Sequence, residues 1–139
     1  MMNFEHDNNK PEYFKENWQG KWEVFSWLEF VCAIPHVQFM VTTLKENGLP
    51  NAAFQSWSSF TGEGSNFFVI MSGVMKHTHT YKNIIRDKEF CINFLNQNYL
   101  ENCWKSIKEH KYENNEITSA GFTIEDSKAI KVPRIKESF

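Results

Sequence analysis

The run VQFMVTTL at 37–44 gathers apolar and β-branched residues into one stretch, the pattern of a β-strand. Lys45-Glu46-Asn47-Gly48 follows, and because Asn and Gly accept positive φ at little cost it predicts a turn. NAAFQSWSSF at 51–60 is then the returning strand of a β-hairpin, with small and hydroxyl residues where bulky apolar ones normally lie. Upstream, WEVFSWLEFV at 22–31 is rich in aromatic and β-branched residues with two interspersed glutamates, which predicts a strand of a partly exposed sheet. Pro35 interrupts the chain after it. Residues 1–21 are polar with Phe4, Tyr13, Phe14 and Trp18 scattered among them, and predict an N-terminal arm in which Pro11 opens a short helix. Downstream, the two glycines of TGEGSN at 61–66 predict a loop, and FFVIMSG at 67–73 a buried strand.

VMKHTHTYKNIIRDKEF at 74–90 starts extended and changes to helical period, with Tyr81, Ile84 and Ile85 on one side and Thr78 or Thr80 as N-cap. EFCINFL at 89–95 returns as a strand. Asn98 and Glu101 form a capping-box pattern, and Leu100, Cys103, Trp104 and Ile107 fall at i, i+3, i+4, i+7, so a helix is predicted over 99–110. A polar loop and a short helical turn follow, then an apolar strand near 129–132 closed by Pro133. This order predicts a mainly β fold, with segregated helices on a mostly antiparallel sheet or small barrel rather than a doubly wound one. Neither a GxGxxG after a strand nor a GxxxxGK[ST] occurs, so both nucleotide fingerprints are missing.

At 139 residues the chain suits one domain, and 41% hydrophobic against 23% charged residues excludes a disordered class. A formal net charge of −2 without a basic patch argues against a nucleic-acid partner. Cys32, Cys91 and Cys103 are an odd number and form no CxxC pair, so no disulfide framework is expected and a reducing, cytoplasmic setting is. No basic n-region and no apolar stretch of 18 residues is present, so neither secretion nor a membrane is expected.

Two constellations carry candidate chemistry. Asn51 with Gln55-Ser56-Trp57-Ser58-Ser59 puts hydrogen-bonding groups and a large ring on one strand, a wall suited to a planar ligand with polar edges, and equally to a solvated outer face. Lys76-His77-Thr78-His79-Thr80-Tyr81-Lys82 lies at a strand-to-helix junction, where free N–H groups, the helix dipole, hydroxyls and cations suit a phosphate. A plain helix cap flanked by solvated lysines explains that stretch as well. His77 and His79 at i, i+2 share one side of a strand, but with no third ligand placed no metal is expected. No triad order or carboxylate pair stands out, the many glutamates read as a solvated surface, and no catalytic acid or base is assigned.

Taken together, IPHVQFMVTTLKENGLPNAAFQSWSSF and KHTHTYKNIIRDKEFCINF, with GFTIE and VPRIKESF near the end, resemble the flavin reductase-like family of FMN-binding split barrels. The resemblance spans about residues 22–139. It implies an antiparallel split β-barrel with two helices that holds FMN, usually as a homodimer, and passes electrons from NADH or NADPH to flavin or onward. Carried over, it implies that Asn51, Gln55, Ser56, Trp57 and Ser58 line the flavin ring and ribityl chain, and that Lys76, His79 and Thr80 hold its phosphate. Hydride chemistry would then belong to the flavin, which agrees with the lack of a triad. The family domain generally continues past VPRIKESF with strands that complete the barrel, so either the 22–139 domain lacks them or a partner subunit covers the open edge. Two other roles fit the same resemblance: an FMN electron carrier served by a redox protein, and a shortened, flavin-free remnant.

Overall fold

The computed structural model describes residues 36–108 and 111–139, within the compact unit His36–Phe139. The predicted arm at 1–21, the strand at 22–31, Cys32, Pro35 and positions 109 and 110 of the predicted second helix lie outside the described residues.

Every strand pair among the described residues is antiparallel, as the mainly β reading expects. The central strand is β1, Phe39–Leu44, flanked by β2, Pro50–Gln55, and β5, Cys91–Asn93. β1 meets β2 from Phe39 opposite Gln55 to Leu44 opposite Pro50, through the predicted turn, where Gly48 adopts φ 81° and donates its N–H to the Lys45 carbonyl. Phe39 through Thr43 are all buried, so both faces of β1 are covered. Its two threonines are satisfied there: Thr42 Oγ1 donates to the Pro133 carbonyl at 2.6 Å, and Thr43 Oγ1 accepts from Asn83 Nδ2 at 2.9 Å. On one face Met40 and Ala52 join Cys103, Ile117, Ala120, Phe122 and Ile135 in the main core.

The expected strand over 51–60 is two strands. β2 ends at Gln55, where β1 begins at Phe39 and no ladder partner remains, and the chain turns at Ser56 and Trp57. It re-enters as β3, Ser58–Glu63, paired with β4, Asn66–Met71, while Ser72 N–H closes onto the Trp57 carbonyl at 2.9 Å. The expected loop at 61–66 therefore shrinks to Gly64 and Ser65, since Thr61, Gly62 and Glu63 continue β3 and Asn66 starts β4. β4 also departs from the buried strand expected at 67–73: Phe67, Phe68 and Ile70 are exposed. The two-stranded ribbon touches the other sheet chiefly through Phe60, whose ring lies 5.2 Å from Phe39 and 5.4 Å from Phe94.

Helix α1 spans His79–Asp87, with Thr78 rather than Thr80 as N-cap, accepting the Tyr81 N–H at 3.2 Å. Its buried positions are Thr80 and Asn83, not the apolar Tyr81, Ile84 and Ile85 side, because the β-sheet beneath offers Asn51 and Thr43. A short turn of 3-10 helix, Gln97–Tyr99, leads into α2, Leu100–Lys108. Asn96 caps the 3-10 turn by accepting the Asn98 N–H, and the predicted Asn98–Glu101 box does not open α2. Of the predicted apolar stripe on α2 only Cys103 is buried; Leu100, Trp104 and Ile107 are exposed. The predicted helical turn is α3, Glu116–Ser119. β6, Ile124–Glu125, pairs with β7, Arg134–Ile135. The expected strand at 129–132 is bent chain; pairing starts just beyond Pro133, which has no N–H for a ladder. Asn93 secures β7 by accepting the Ile135 N–H at 2.8 Å.

Candidate functional site

Among the described residues β2 is the outer strand of its sheet, with no strand on its far edge, and a cleft of about 320 Å³ runs beside it. Asn51–Gln55 form one wall, Gly73–Met75 and the start of α1 a second, and Ser106, Ile107 and Glu116 from α2 and α3 a third. The Ala52 N–H points off the free edge and donates to Glu116 Oε2 at 3.1 Å; by the two-residue alternation of an antiparallel ladder, the Phe54 N–H faces the same way.

The second wall is built for negative charge. The His79 and Thr80 N–H groups open α1 and have no hydrogen-bond acceptor among the described residues, and the positive end of the helix dipole lies with them. Thr80 is buried, and its Oγ1 accepts from Asn51 Nδ2 at 3.0 Å, joining the helix start to β2. That single bond ties the two sequence constellations into one cleft.

Of the residues singled out by sequence, Asn51, Gln55, His79 and Thr80 line this cleft, and so does His77. Ser56, Trp57 and Ser58 lie beyond the end of β2, outside the lining, with the Trp57 ring 6.2 Å from that of His36. Ser58 Oγ is buried without a hydrogen-bond partner among the described residues. Lys76 is exposed, three residues before α1, and does not line the cleft. Among the described residues no three His, Cys, Asp or Glu side chains gather around a common point. Burial pushes the Cys103 thiol up, away from the thiolate a nucleophile needs.

Two residues of the site escaped the sequence reading. Glu116, expected on a solvated surface, is 2% exposed, and Lys45, expected in an exposed turn, is equally buried. Lys45 Nζ donates to the carbonyls of Lys111, Tyr112 and Asn114 and lies 2.8 Å from Glu116 Oε1. Buried charges survive only when paired and hydrogen-bonded: the two neutralise each other, while backbone carbonyls serve Lys45 and the Ala52 N–H serves Glu116 Oε2. Only the Asn115 N-cap pattern before Glu116 marked a helix start; nothing local marked its burial.

The cleft thus combines a polar β-edge, aromatic and aliphatic walls and the N–H groups of a helix start, in a volume at the lower end of the range for small-molecule sites. Its donor set fits a phosphorylated planar ligand such as FMN. Among the described residues no helix is long and apolar enough to cross a membrane.

Residues 31–139 match the flavin reductase like domain family. An uncharacterized protein of Aquifex aeolicus (strain VF5) is 32% identical over 108 residues, 76% of this chain and 55% of its own length. Among solved structures, the 2-nitrobenzoate 2-nitroreductase NbaA of Pseudomonas fluorescens superposes with a TM-score of 0.60 at 30% identity, over 75% of this chain and 50% of its own. A split-barrel protein of Shewanella frigidimarina NCIMB 400, assigned to the flavin reductases, shares the fold at 24% identity and TM-score 0.60, over 74% of this chain and 51% of its own. The chain spans about half the length of these relatives.

Proposed function

Because the chain belongs to the flavin reductase like domain family and has its split-barrel fold, we propose that the β2 cleft binds FMN and that the protein is an NAD(P)H-dependent oxidoreductase. The observation that carries this reading is the Asn51–Thr80 hydrogen bond, which sets a free β-edge beside a helix N-terminus. Asn51, Gln55 and the outward Phe54 N–H of β2 meet the polar edge of the ring. His79, Thr80 and the first N–H groups of α1 hold the phosphate, and Lys76 adds positive charge from the solvent side. Ser56, Trp57 and Ser58 extend the ring-binding wall past the end of β2. When bound, FMN supplies hydride and electron chemistry, taking electrons from NADH or NADPH and giving them to free flavin or a redox partner. The polypeptide binds and orients and contributes no acid or base.

In this reading residues 22–139 form the flavin domain, 1–21 an arm, and a second copy covers the exposed outer face of β4, giving a homodimer. The free thiols of Cys91 and Cys103 suit the cytoplasm.

The test is the visible absorption spectrum after incubation with excess FMN and desalting, followed by NADH and NADPH oxidation. Retained flavin bands, lost in a Lys76→Ala/Thr80→Val double variant, are expected, together with turnover. Flavin bands without nicotinamide turnover identify an electron carrier. A folded protein that stays colourless overturns the cofactor assignment.

A further inference from the structure

The cleft contains a buried carboxylate that flavin binding as proposed above leaves unemployed. Glu116 is anchored twice: Oε2 accepts the Ala52 N–H at 3.1 Å, and Oε1 lies 2.8 Å from Lys45 Nζ. Oε1 is nonetheless buried without a directed hydrogen bond. An ammonium has three N–H groups, and those of Lys45 go to the carbonyls of Lys111, Tyr112 and Asn114. Lys45 therefore neutralises Glu116 without saturating it, and a buried acceptor left open is costly. The group facing that open oxygen is His79 Nδ1, at 3.7 Å, on the residue that opens α1 in the same cleft.

An imidazole that turns Nδ1–H toward a carboxylate sends Nε2 to the opposite side of the ring, and a carboxylate in this place sets the ring's orientation. Tyr112 stands edge-on to the His79 ring with centroids 5.5 Å apart, and limits its rotation from a second side. The Glu116 charge does not oppose an incoming anion, because Lys45 cancels it at contact distance.

Resting on the reading of this cleft as the flavin site, we infer that Glu116, anchored by Lys45, is a positioning residue for His79 and so selects the phosphorylated flavin over its unphosphorylated form. Glu116 Oε1 accepts the His79 Nδ1–H, and the ring presents Nε2–H to the phosphate monoester beside the first N–H groups of α1. Riboflavin has no phosphate to meet Nε2 and gains nothing from the arrangement.

The test compares dissociation constants for FMN and riboflavin, by quenching of flavin fluorescence, in the full chain, Glu116→Gln, His79→Gln and the double variant. The unsubstituted protein is expected to prefer FMN. Glu116→Gln is expected to weaken FMN binding about tenfold, in line with one lost charge-assisted hydrogen bond, and to leave riboflavin within about twofold. His79→Gln is expected to act the same way, and the double variant to lose no more than either single one, the non-additivity of residues acting through one contact. An equal loss for both flavins, or additive losses, overturns the positioning role while leaving the flavin site standing. Equal affinity of the unsubstituted protein for FMN and riboflavin overturns the phosphate site and this inference with it. Should Glu116→Gln not fold, His79→Gln alone decides: its side chain is 30% exposed, and an unchanged FMN preference overturns the inference.

Discussion

A charged side chain whose neighbours come from distant parts of the chain is the hardest feature to read from sequence, and Lys45 and Glu116 are the instances here. Each sits among polar residues, in KENG and in YENNEI, where solvation is the natural expectation. Their burial arises when the 111–114 segment closes over the end of β1, some 66 to 69 positions away in the chain. Asn51, His79 and Thr80 were legible because their roles are partly local: a strand start and a helix start. Glu137 shows the same dependence on distant partners, with a measurable result. Burial alone would raise its carboxyl, but hydrogen bonds from Thr123, whose N–H reaches both oxygens at 3.1 and 3.2 Å, together with its own N–H and the Lys136 charge, hold the group below its ordinary 4.5. A carboxyl lowered by folding stabilises the fold above its unfolded value and loses that contribution as pH falls through the folded one. The melting temperature of the unsubstituted protein should thus drop more steeply than that of Glu137→Gln as pH is taken below 4.5. Parallel curves would show that the Thr123 contact carries no net stability.

At the scale of elements, what local chemistry decides was readable, and what partner geometry decides was not. The Asn47–Gly48 turn forms as expected because its positive φ is a property of the residues themselves. The break at Ser56–Trp57 depends on where β1 begins, which no feature of 51–60 encodes. The face of α1 was misread for a related reason. Apolar periodicity points to Tyr81, Ile84 and Ile85, yet the β-sheet positions beneath the helix are Asn51 and Thr43, so Thr80 and Asn83 turn inward to satisfy them. This polar seam fixes the helix start against β2, which the cleft requires. Asn83→Ala removes one partner of a buried pair and leaves Thr43 Oγ1 without its donor, at a cost of about 1–3 kcal/mol. Denaturant unfolding is the measurement, and a change well under 1 kcal/mol would mean that α1 is held by its apolar contacts instead.

At the scale of the described molecule, the antiparallel sheets are of unequal security. The β2-β1-β5 sheet is covered on both faces, whereas the β3-β4 ribbon is a two-stranded unit of a kind that is marginal in water by itself. Its strand β4 is apolar on both sides. Phe60 turns one side toward Phe39 and Phe94, while on the other Phe68 and Ile70 stand 57% and 72% exposed. A strand apolar on both faces is the pattern of one covered on both, and the second copy proposed above would supply that cover. Replacing Phe68 and Ile70 together by Glu puts two like charges on that face without touching the Phe60 contacts or the β2 cleft. Light scattering at micromolar concentration should then give a dimer mass for the unsubstituted protein and a monomer mass for the variant, with an unchanged far-ultraviolet circular dichroism spectrum. A variant that remains dimeric would place the interface elsewhere, and an unsubstituted protein that is monomeric would remove the second copy from the account of how this ribbon is stabilised.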